Sequence, residues 1–90
     1  MKTENAIKQA RQKVEAGLLA ERAYCVALTK SKHNATPKTC ELLENADKTY
    51  KAARRAVVAL YKRHGIQVPK MTTIFMVENA FNNLIKLIKL

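Results

Sequence analysis

Ninety residues of 10.2 kDa, 48% of them hydrophobic, with two glycines, two prolines and no tryptophan, make a single domain spanning 1–90 and exclude a multi-domain enzyme. Seventeen Lys+Arg against seven Asp+Glu set the formal charge at +10 and the pI near 10.0, so the chain attracts polyanions. Folding at this size removes only about 60–65% of the unfolded surface from water, which leaves self-association as a route to further burial.

Helix formers run from Thr3 to Lys30, and Ile7, Ala10, Val14, Leu18, Cys25 and Leu28 fall three, four or seven apart. That period predicts a first helix over about 3–30. Ser31 to Ala35 carries no period and reads as a loop. Thr36-Pro37 then marks a helix start, a hydroxyl to cap free backbone donors followed by a residue preset for the first helical position. The second helix is expected over about 37–64, with Glu41, Glu44 and Asp47 early, lysines and arginines late, and Gly65 as its stop. Val68-Pro69 is extended, and Thr72 or Thr73 caps a third helix over about 72–89.

Leu43, Ala46, Tyr50, Ala53, Val57, Leu60 and His64 step by three and four along the second helix. The first helix carries a matching series, so the two are expected to fold back as an antiparallel hairpin. A natural register sets Leu28 against Leu43, Glu21 against Tyr50, Val14 against Val57 and Ile7 against His64. Glu21 and Tyr50 then form a buried polar contact that holds the register. The fold class is therefore all-α, an antiparallel helical hairpin plus a C-terminal amphipathic helix. Ile74, Val77, Phe81, Leu84 and Ile88 form one face of that third helix, wide enough to cover the hairpin and also to meet a partner or a second copy. A homo-oligomer is the expected assembly.

The sharpest functional signal is the sign of the charge on the second helix. Lys48, Lys51, Arg54, Arg55, Lys62 and Arg63 are six basic residues with no acid among residues 48–63. Lys48, Lys51, Arg55 and Lys62 cluster opposite the apolar series, a stripe about 20 Å long that can meet several phosphates. Its plain alternative is an ordinary solvated face, but such faces usually mix signs. Lys32 and Lys38, with Lys30, His33 and Asn34, lie near the start of the second helix, where free backbone donors can seat a phosphate.

The stretch Gly65-Ile66, Met71-Thr72-Thr73-Ile74 and Val77-Glu78-Asn79 loosely resembles the turn and recognition helix of repressor-type DNA-binding domains. Such a resemblance implies base reading by Asn79, Asn82 and Asn83. The chain departs from the pattern in its long link, in Tyr61 where a small residue belongs, and in Phe75 and Met76 where polar residues belong. The asparagines are therefore expected to form a wet face.

No catalytic set is legible: one serine and two histidines provide no nucleophile–base–orienter arrangement. The spacings of Cys25, His33, Cys40 and His64 match no compact zinc site, and no cofactor is implied. His64, at the end of the second helix, is expected to hydrogen-bond its last carbonyls. Two cysteines are too few for a disulfide framework, no signal segment is apparent, and no apolar run, Ile74 to Val77 included, exceeds six residues, so a cytoplasmic protein with no membrane partner is expected. The segment Leu84 to Leu90 resembles an interfacial helix in composition but reads as packing surface.

The leading expectation is a small basic non-enzymatic protein that contacts a polyanion, most simply nucleic-acid backbone (DNA or RNA), with little sequence specificity. The alternative is an adaptor or inhibitor that binds an acidic protein surface of a larger complex, with the third helix for oligomerisation or partner contact.

Overall fold

The computed structural model of the chain describes residues 2–89, with the side chains of 3–88; Met1 and Leu90, at the two ends of the sequence, lie outside the described residues. It is all-helical: α1 spans Lys2–Lys30, α2 Pro37–Arg63 and α3 Ile74–Lys89, with no strand among the described residues. None of these helices is long and apolar enough to cross a membrane.

Local chemistry explains each boundary. Lys32 and His33 adopt φ of 56° and 64°, and the Lys32 and His33 N–H groups return to the carbonyls of Thr29 and Leu28 at 3.1 and 2.8 Å. This is a Schellman closure of α1 with lysine at the left-handed position that glycine usually fills. α2 closes the same way: the N–H groups of Gly65 (φ 67°) and Ile66 return to Lys62 and Tyr61. At the start of α2 the Thr39 N–H donates to Thr36 Oγ1 at 3.1 Å and the Thr36 N–H donates to Thr39 Oγ1 at 2.7 Å, a reciprocal capping box. α3 begins at Ile74, later than Thr72, because Thr73 Oγ1 accepts from the Met76 N–H at 3.2 Å and so stands just outside the helix.

The two closures make opposite predictions. Lys32→Gly is expected to raise stability by about 1 kcal/mol by relieving a left-handed side chain. Gly65→Ala is expected to lower it by about 1 kcal/mol, because an added Cβ meets nothing within 4 Å and only the backbone objects. Urea unfolding of both variants reads the pair.

The core holds Ala10 and Val14 of α1, Ala53, Val57, Leu60 and Tyr61 of α2, Met71 of the linker, and Ile74, Val77, Ala80, Phe81 and Leu84 of α3. Neighbours occur in reverse order along α1 and α2: Ala10 and Leu60 share one cleft, Tyr24 and Leu28 share another with Thr39 and Leu43. Gly17 leaves room where α3 enters, since a Cβ there would sit 2.5 Å from Ile74 Cδ1 and displace that side chain. Arg11 lies 5.2 Å over the Phe81 ring, and Tyr61 donates to the Ala80 carbonyl at 2.7 Å. α3 therefore begins beside Gly17 and reaches Arg11 and Tyr61 by Phe81, covering only the part of α1 and α2 farther from the 31–36 loop.

Of the two roles expected for the apolar face of α3, the structure shows the first, packing within the chain. Ile74, Val77, Phe81 and Leu84 are all buried in the chain's own core, and Ile88 packs against it. A thin α1–α2 pair rich in alanine leaves room for these side chains, and burying them locally is the nearest way to remove them from water. The large apolar residues that α3 leaves in solvent are Phe75 and Leu87.

The Glu21–Tyr50 contact is also corrected. Tyr50 Oη donates to the Met71 carbonyl at 2.8 Å, while Glu21 is half-exposed and accepts from Cys25 Sγ at 3.4 Å. The linker returning along α2 places a backbone carbonyl within reach of Tyr50, and a carboxylate near solvent gains nothing from being buried. Cys25 lies exposed rather than on the buried stripe.

The Tyr61 hydroxyl carries a pH prediction. Burial pushes its pKa above the usual phenol value, so the folded chain holds this proton more tightly than the unfolded one. Its stabilising contribution is complete below the unfolded value of about 10 and is lost as pH rises through the folded value. Tyr61→Phe is expected to flatten the loss of stability as pH rises above about 10. Equal alkaline slopes in the two proteins contradict this.

Candidate nucleic-acid interface

Helical geometry sorts the outer surface of α2 by sign. Its second and third turns are acidic, with Glu41, Glu44 and Asp47; from Lys48 onward every charged residue is basic, and all six are exposed. At 1.5 Å per residue, Lys48 to Lys62 spans about 21 Å. The wheel places Lys48, Lys51, Arg55 and Lys62 within one sector opposite Val57, which is fully buried.

The six residues are not equivalent. Lys51 Nζ lies 3.1 Å from Asp47 Oδ2, an exposed pair one turn apart that holds the lysine lightly. Arg54 Nε donates to the Met71 carbonyl at 3.2 Å, which ties it to the linker on the α3 flank of the stripe. Arg63 sits on the opposite flank, in a shallow cleft between α1 and α2 whose floor is Ala6, Ala10, Ala56 and Ala59. Lys48, Arg55 and Lys62 make no ion pair or hydrogen bond among the described residues.

Lys13 shares the Arg63 cleft, a neighbour that the spacing of α1 alone does not reveal. The reverse order of α1 and α2 brings this isolated α1 lysine beside the end of the stripe. The signal lies in the register, which runs low residue numbers of α1 against high numbers of α2.

At the other end, Lys32 and Lys38 are exposed. The expected backbone seat between them is largely filled from within. The capping box takes the Thr36 and Thr39 N–H groups, Pro37 has none, Cys40 N–H returns to the Thr36 carbonyl, and Lys32, His33 and Asn34 N–H groups close the loop. Within the first turn of α2 only the Lys38 N–H is left, so any anion contact here falls to the lysine side chains.

The remaining chemistry is sparse. No group of three or more His, Cys, Asp or Glu stands close enough to hold a metal among the described residues. The His64 imidazole does not bond the last carbonyls of α2; its backbone N–H does so, at 3.2 Å from the Leu60 carbonyl, and Nε2 is buried without a partner. The Cys25 thiol is held protonated by local desolvation first and by the neighbouring Glu21 carboxylate second, the opposite of an activated nucleophile. Asn79, Asn82 and Asn83 lie on α3, with Asn79 beside Tyr61 and Pro69 at the edge of a shallow cleft. The linker lies beside α2 at Met71 and Tyr50, and α3 lies beside it at Ala80 and Tyr61.

Comparison of the chain with protein-family models, with curated proteins and with solved structures finds no match.

Proposed function

We propose that the chain is a non-enzymatic polyanion-binding protein, an antiparallel helical hairpin carrying α3, whose outer α2 face engages nucleic-acid backbone with little sequence discrimination. The observation that carries this reading is the stripe with its two flanks: six exposed basic side chains over about 22 Å, of which Lys51 alone is paired with an acid among the described residues. Lysines and arginines on one helix face match the regular charge of a phosphodiester chain, and their flexible ends need no preformed pocket. Weak discrimination follows because no exposed aromatic stands beside the stripe to stack a base and no side-chain fork is held rigid toward a groove. Lys13 and Arg63 extend the contact around one flank; Arg54, anchored on the Met71 carbonyl, limits it on the other.

The test is a titration of the full chain with a labelled duplex and a labelled single strand across a salt series. Neutralising about five phosphates predicts a log–log salt slope of about −4.5 on duplex DNA. No binding at low salt, or an affinity indifferent to salt, overturns the reading. In a lysate pull-down with and without nuclease, loss of the captured material on nuclease treatment agrees with it; capture of one acidic protein regardless of nuclease favours the adaptor reading instead.

A further inference from the structure

α1 has a second apolar stripe that its own chain does not cover. Ala16, Leu19, Ala23 and Val26 step by three and four on the face opposite Val14, and all four are exposed, Leu19 at 67% and Val26 at 49%. The outward face of a solvated helix normally carries charge there. Here residues 14–29 contain one arginine and two glutamates, so this stretch of a +10 chain is the reverse of basic.

We propose that the stripe is a self-association surface on which a second copy of the chain docks its own α1 antiparallel. The sequence order supports that occupant. With the two stripes reversed about a two-fold axis at position 21, Ala16 meets Val26 of the second copy and Leu19 meets Ala23, and the axis repeats both layers. Every layer then sets a large side chain against a small one, which lets the helices approach closely. Gln12 meets Lys30 at each end. Charge points the same way: α1 contributes this face on the side away from α2, so the two basic stripes of the pair are directed outward from each other and the copies meet on a stretch with one arginine against two glutamates. Nucleic acid and acidic surfaces have nothing to attract them to this stripe.

The contact is small, four residues over about 15 Å on each copy, which places it among weak, concentration-dependent associations. Arg22 flanks the seam and lies beside its own mate across the axis, so association strengthens as salt screens both this pair and the overall +10 charge. That dependence is opposite in sign to nucleic-acid binding, and the failure of one reading leaves the other standing.

Sedimentation of the full chain from about 10 μM to about 1 mM, at low and high salt, reads the proposal. A monomer–dimer equilibrium is expected that Leu19→Glu weakens at least tenfold, with helicity and Tm unchanged because the site is exposed, and that Arg22→Gln strengthens. Cysteine trapping reads the register: in a Cys25→Ser/Cys40→Ser background, Ala16→Cys/Val26→Cys is expected to form a covalent dimer on mild oxidation, whereas Ala16→Cys alone is not. A monomer throughout the concentration range, a dimer indifferent to Leu19→Glu, or a covalent dimer from Ala16→Cys alone overturns it.

Discussion

Replacing Lys51 and Arg55 together by glutamate is expected to lower affinity for nucleic acid by about 10–100-fold and to make the salt slope shallower by about 2. Both residues lie in the central sector of the stripe, and reversal turns two attractions to phosphate into two repulsions. Folding is expected to be little affected. Lys51 gives up only its exposed pair with Asp47, and a glutamate in its place would face that aspartate one turn away, each effect amounting to about a few tenths of a kcal/mol. A variant with the same change in net charge but away from the stripe, Lys8→Glu with Lys86→Glu, separates a local surface from a general field. If that control weakens binding as much as the stripe variant, the anion preference belongs to the whole chain and the assignment to α2 fails.

Phe81→Ala is expected to cost about 3–5 kcal/mol, and Phe75→Ala, on the same helix, less than about 0.5 kcal/mol. The Phe81 ring is buried between α1 and α2 beneath the Arg11 guanidinium, whereas Phe75 is 56% exposed. A domain of this length has a total stability of about 5–13 kcal/mol, so the first substitution removes a large share of it and the second leaves the transition in place. Urea unfolding with helicity as the probe distinguishes them. The contrast also tests where the apolar face of α3 is spent. A Phe81→Ala protein as stable as the parent would return that face to solvent.

Much of this fold can be read along the chain because its determinants are local. Thr36-Pro37, Gly65 and Thr73 act through hydrogen bonds spanning a few residues, and the three-and-four spacing reports which side of each helix avoids water. Lys32 gives no sign of being a helix stop because lysine in the left-handed region has no sequence signature; only the φ of 56° exposes it. Leu19 and Val26 are hidden for a different reason. α1 carries two apolar stripes, and periodicity states that a stripe exists without stating which neighbour, if any, covers it. Lys13 likewise joins the basic surface through α2, not through anything on α1.

The +10 charge and its concentration on α2 belong to the sequence alone, since the order of acidic and basic residues along one helix already places the stripe opposite the apolar series. Three helices are settled at the same level, by periodicity and caps. Tertiary structure decided the partners of groups that reach across the chain. Tyr50 and Arg54 both bond the carbonyl of Met71, 21 and 17 residues away, and α3 buries Phe81 and Leu84 internally instead of offering them to a second molecule. The reason is physical: hydrophobic burial is non-directional, so a sequence shows which side chains must leave water, while the path of the linker settles which surface receives them.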